Sequence, residues 1–196
     1  MKNLFLCTLC FIITNGCSWI YGVKTVKSND LTNIQYFLTK NNYNQYRNFC
    51  LKKEYVKYLK QTLPNDSLDK KYLLQPLQLV YLNNKNEIVS YHINCNAGGF
   101  PNLRWEREGN FDVFPPKTQT NPNDISLDFL AIQSYLFEVY ARSKKINMDS
   151  EYKIIVFYSL MLPKQSKKLI DLAIRNSLSE PNSEIILINN DNLFAE

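Results

Sequence analysis

Apolar and polar positions recur along most of this chain in periods that assign its elements. Behind Ser28, Asn29 and Asp30, the apolar residues Leu31, Ile34, Phe37 and Leu38 fall at helical spacing. That pattern predicts a helix with polar capping residues, ended by Asn41 and Asn42. A second helix is predicted over 51–61, with Leu51, Tyr55, Tyr58 and Leu59 on one face and Pro64 as its stop. Residues 77–82 and 87–93 are β-rich runs, and the polar Asn83, Asn84, Lys85 and Asn86 between them predict a hairpin. Residues 94–124, marked by Gly98, Gly99, Gly109, Pro115 and Pro116, read as a long loop. Such a loop either carries function or packs as ordered coil over an apolar surface.

Over 125–142, Phe129, Ile132, Leu136, Phe137 and Tyr140 form a broad apolar face and predict one long helix. Residues 152–158 are almost continuously apolar, as a central strand covered on both faces should be. Pro163 suits the first position of a helix reaching about Leu178, and 184–188 form another buried strand. Strand, helix and strand in succession make a βαβ unit with parallel strands. Joined to the hairpin, it predicts an α/β fold: a mixed sheet with helices on both faces.

The N-terminus reads as an address. Lys2 precedes an apolar stretch from Leu4 to Ile13, and Thr14, Asn15 and Gly16 follow. That is the order of an export signal. The stretch is shorter than the roughly twenty residues that cross a bilayer. Gly16-Cys17 resembles the end of a bacterial lipobox, which implies cleavage after residue 16 and lipidation of Cys17. Thr14 stands where that motif usually has Leu, so ordinary signal-peptidase cleavage is the alternative. The expected parts are a signal over 1–16, a lipid-anchored tether over 17–27, and a single domain over 28–196. Such a protein would be exported and held by its anchor on the bacterial envelope membrane, facing the periplasm.

With 196 residues, 45% hydrophobic and 21% charged, the chain can bury a core without disulfides. Its net charge is +5, of which Lys2 carries one, and lysines alternate with acids, as at Lys52, Lys53, Glu54 and Lys57. No basic run is long enough for a nucleic-acid arm, so no nucleic-acid partner is expected. A mild attraction to anionic headgroups is compatible with this charge.

Candidate chemistry is sparse. Cys7 and Cys10 have C-x-x-C spacing but sit inside the signal's apolar core. That leaves Cys50 and Cys95, which in an oxidising envelope form one disulfide, stay as two thiols, or include a catalytic thiol at Cys95. His92, the one histidine, shares a strand face with Ile88 and Ser90 and is expected at the surface or half-buried, not as a base. A lone histidine makes neither a His-based zinc site nor an ordinary serine triad. No phosphate-binding or dinucleotide glycine motif is present, so no cofactor is expected. Trp105 lies among Arg104, Glu106, Arg107 and Glu108. It either anchors the long loop or, with Arg104 and Arg107, forms a contact surface for a protein partner. Asp112, Asp124 and Asp128 read as caps and solvated side chains.

The run from Ile154 to Gln165, with Phe157-Tyr158 and then Pro163, resembles the thioredoxin-like redoxin segment, in which an apolar strand leads into a helix opened by C-x-x-C. The hairpin after Pro76 is similar to the redoxin strand pair, although it precedes the βαβ unit here. Phe111, Asp112, Pro115 and Pro116 resemble a segment of uncharacterised bacterial lipoproteins. The likeness implies a thioredoxin-like domain whose two redox positions are Leu162 and Gln165, which can supply no thiolate. Two functions remain in view: a redox-inactive binding or scaffolding domain, and a diverged thiol-dependent redoxin using Cys95. A lipoprotein signal peptidase inhibitor should retard the wild-type chain on a denaturing gel, and Cys17→Ala should abolish that shift; an unshifted wild type would refute the anchor.

Overall fold

Every residue of Tyr152–Tyr158 after the first is buried, and the sheet extends to both sides of this strand. The computed structural model describes residues 23–28, 30–63, 68–94, 105–106, 109–119, 128–140 and 150–195. The expectations for the signal, Cys17, Cys95, Arg104, Arg107 and Asp124 lie outside the described residues. In chain order the elements are α1 (Leu31–Lys40), β1 (Arg47–Leu51), α2 (Glu54–Thr62), α3 (Leu68–Leu73), β2 (Gln78–Asn83) and β3 (Ile88–Ile93). They continue with α4 (Phe129–Gln133), β4 (Leu136–Glu138), β5 (Tyr152–Tyr158), α5 (Pro163–Ser177) and β6 (Ser183–Asn189), and a 3-10 turn, Asp191–Leu193, follows.

The strands lie in the order β3-β2-β5-β6-β1-β4. β5, β6 and β1 run parallel, while β2 is antiparallel to β5 and to β3, and β4 is antiparallel to β1. The predicted hairpin and βαβ unit are therefore both present, in a mixed α/β sheet. In the hairpin turn, the Asn83 side chain accepts from the amides of Lys85 and Glu87, and Asn86 takes the left-handed conformation (φ 62°) that asparagine tolerates well.

Alternation divides the core in two. Leu79, Tyr81, Ile154, Val156 and Leu187 face α1 and α5, meeting Ile34, Leu38, Leu169 and Ala173. Val80, Leu82, Ile155, Phe157 and Ile186 face α2, α3 and α4, meeting Tyr55, Leu59, Leu73 and Phe129. The caps follow the chain: Asp30 accepts from the Asn33 amide at the start of α1, and Pro163 opens α5 where a missing N–H costs nothing.

Two elements correct the sequence reading. Leu51 ends β1 instead of opening a helix, and α2 begins only at Glu54. The long helix over 125–142 is not formed: α4 covers five residues, capped by Asp128, and Leu136–Glu138 is a strand. Its pairing with β1 (Cys50 opposite Phe137) and the Lys52 N–H donating to Tyr135 O hold this stretch extended. Tertiary pairing has overridden a helical spacing that was locally satisfactory.

The described parts of the long loop form a strap over the β2–β3 end of the α1/α5 face. Asn176 of α5 donates to Phe111 O (3.1 Å) and Val113 O (3.0 Å) and accepts from the Tyr81 hydroxyl (2.9 Å). Gln119 N–H donates to Tyr91 O, so the strap's end lies against strand β3. Trp105 is only 3% exposed and belongs to the core cluster beneath the strap. It anchors the loop, and its burial removes it from the proposed contact surface.

His92 is likewise corrected. It is fully buried, with Nε2 2.9 Å from Ser90 Oγ and its ring 4.7 Å from that of Phe111. The strap is what covers it. Burial lowers its pKa to about 4, and Gln119 opposes the shift in part. Between pH 6.5 and 4 the unfolded chain takes up a proton that the folded imidazole refuses, so stability should fall with pH across that window. The loss should approach roughly 3 kcal/mol by pH 4. Burial raises the pKa of Asp191, so that group contributes with the opposite sign. Denaturant titrations should show the His92→Gln protein less stable near neutrality but with a flatter pH slope; an unchanged slope would refute the assignment.

Candidate functional site

In α/β sheets, ligands bind outside the carboxyl ends of parallel strands, where neighbouring connections leave for opposite faces. Here the chain leaves β5 for α5 on one face and leaves β1 for α2 on the other, with the end of β6 between them. The crevice this creates is filled by the turn Asp191–Leu193.

Asp191 is 3% exposed. Its Oδ1 accepts from Ser159 Oγ (2.5 Å) and Leu160 N–H (2.8 Å), and its Oδ2 accepts from Asn189 Nδ2 (2.9 Å). Burial pushes its pKa up, against the pull of those donors and of the Met161 amide. The surrounding side chains complete the closure. Asn190 Nδ2 donates to Gln75 O (3.2 Å) and Asn192 Nδ2 to Leu51 O (2.9 Å), while Ser28 Oγ donates to Asn192 Oδ1 (3.1 Å). Asp191 is thus committed to the fold, with donors already on both its oxygens. The signal for it lay in Asn189 at the end of β6 and in Asn190, Asp191 and Asn192 directly after it, a polar run closing a buried strand.

The two expected redox positions meet this closure. Leu162 is the residue before α5 and is mostly buried; Gln165, one turn in, is buried with Oε1 unpartnered among the described residues. Cys50 does not reach the helix tip. It lies on β1, opposite Asn189 of β6, whose other neighbour in the row is Tyr158 of β5. Cys50 carries a free thiol that is 1% exposed, while its candidate disulfide partner Cys95 lies outside the described residues. Burial, reinforced by Asp191, raises its pKa to about 12, the reverse of what a nucleophilic cysteine requires. Among the described residues no group of three His, Cys, Asp or Glu side chains could hold a metal ion, and no helix is long and apolar enough to cross a membrane.

An open space lies beside the filled crevice. A cleft of about 670 Å³ runs between segment 24–27, α1 and the start of α5. Lys24, Lys27, Lys40, Lys164 and Lys167 line it, against the two carboxylates Asp30 and Asp191. Asp30 caps α1 and Asp191 ties the closure, so the cleft sets five ammonium groups against two carboxyl groups. Lys167 pairs with Asp171, and the Lys40 ammonium lies 5.6 Å from the Tyr36 ring centroid. Lys24, Lys27 and Lys164 are exposed and make no ion pair among the described residues. Lys24 N–H donates to Met161 O, fixing the N-terminal segment along this edge.

A larger depression, about 1340 Å³, lies at the opposite end of the strands around the Arg47–Glu184 ion pair. It is flanked by Tyr140 and Ser150, on either side of 141–149. That segment is outside the described residues, so the lysine cleft is the better-defined site.

The chain matches no family model, no curated protein and no solved structure. In a Cys95→Ser protein, Cys50 should resist a thiol reagent at pH 8 in the native state and react fully in denaturant; rapid native labelling would contradict its burial.

Proposed function

We propose that this chain is an exported, lipid-anchored envelope protein whose α/β domain, thioredoxin-like in its hairpin and βαβ parts, serves binding or scaffolding and not catalysis. The observation that carries this reading is the occupied crevice. Where an open α/β sheet presents its reaction site, this chain places its own Asp191–Leu193 turn and uses the polar groups there to hold three strand ends together.

The thioredoxin-like part of the reading rests on adjacency. β2, which follows Pro76, lies antiparallel beside β5, and β5 leads into α5, whose tip carries Leu162 and Gln165. An alkyl group and an amide at those positions cannot exchange a disulfide. Binding would then use exposed surface, with an anionic membrane or a protein partner as the candidate occupants. Neither Trp105 nor Cys50 is available for it, because both are buried.

The competing enzyme would depend on Cys95. An insulin-reduction assay should give no rate above background for the wild type, and Cys95→Ser should change nothing. Turnover that disappears in Cys95→Ser would replace the binding reading with the enzyme.

A further inference from the structure

We propose that the lysine cleft is the membrane-facing surface of the domain and seats on anionic lipid headgroups. The inference rests on the anchored reading above and adds the face, the residues and the headgroup charge. Its first support is chain length. Cys17 and Lys24 are seven positions apart, and an extended chain covers at most about 25 Å over that distance. Lys24 is itself fixed to the β5–α5 connection by its backbone bond to Met161. A lipid on Cys17 would therefore keep this edge of the sheet within about 25 Å of the headgroups.

The second support is charge. The cleft gathers five lysines from three separate segments against two carboxyl groups, Asp30 and Asp191. Lys24, Lys27 and Lys164 stand exposed without an ionic partner among the described residues, as a surface that meets an external anion should. Tyr36 (63% exposed) and Val23 (46% exposed) lie at the same edge, the first an aromatic suited to headgroup depth.

The test uses the mature chain, residues 17–196, carrying Cys17→Ser so that no lipid contributes. Both buried clusters are composed of residues from Leu31 to Leu193, so the domain keeps its core without the signal. This protein should bind vesicles of phosphatidylcholine containing about one third phosphatidylglycerol, and not phosphatidylcholine alone, with affinity falling as salt rises. Lys24→Gln/Lys27→Gln/Lys164→Gln should weaken binding by on the order of a hundredfold, about fivefold per lysine. The matching Arg triple should retain it. Lys57→Gln/Lys60→Gln/Lys85→Gln, which removes equal charge elsewhere, should change it little. Absence of binding, equal losses in both Gln triples, or displacement by millimolar inorganic phosphate would overturn the proposal, the last by indicating a small-anion site. Failure of the anchor reading is seen separately, as a missing Cys17-dependent gel shift.

Discussion

The arrangement depends on one buried carboxylate, Asp191. Removing an ionised carboxylate from water costs several kcal/mol. Here the cost is offset by donors from Ser159, Asn189 and the Leu160 and Met161 amides, each worth about 1.5–3 kcal/mol to a charged acceptor. The raised pKa of Asp191 indicates that burial still outweighs the donors. The carboxylate fixes the end of β6 to the connection that launches α5. Its neighbours Asn190 and Asn192 extend the tie to Gln75 and to the end of β1. The switch between faces, the usual vacancy in such a sheet, thereby becomes a joint.

That joint governs the site. With the crevice closed, polar capacity at the strand ends is used internally, and the remaining opening shifts outward between α1, α5 and the N-terminal segment. The charge shifts with it. Of the acids in the region, Asp30 caps α1 at the surface and Asp191 ties the buried joint, while most of the lysines face solvent. The asymmetry follows from the chemistry of the side chains: a short carboxylate accepts from several backbone amides at once, and a long ammonium stem reaches water.

Much of the fold was legible because it was locally encoded. The apolar run of β5, the Asn-rich turn of the hairpin, Asp30 before α1 and Pro163 before α5 each act within a few residues of what they specify. β1 and β4 were not legible. They are short and have no alternation of their own, and they exist because Cys50 lies opposite Phe137 on one side and Asn189 on the other. Phe129, Ile132, Leu136 and Phe137 satisfied a helical spacing, but the extended partner on β1 decided the conformation from Leu136 onward. His92 misled for a related reason. Its strand neighbours looked half-exposed, and the cover over it comes from a strap some twenty residues later in the chain. The cleft lysines were invisible as a group, since Lys24 and Lys27, Lys40, and Lys164 and Lys167 come from three segments that only the fold brings together.

The same edge of the sheet is where the described chain begins and where the turn after β6 brings its last strand to a close. Ser28 bonds Asn192, and Lys24 bonds the connection after β5, so the chain's entry and the joint are parts of one structure. A tether that simply hung from the domain would leave its orientation free. Segment 23–28 is bound along the strand ends, and the groups it touches belong to the network that ties β5, β6 and β1 together. On the proposed reading, a domain that uses this edge for attachment would not also keep it open for a substrate, and the closed crevice and the outward lysines would both serve that attachment.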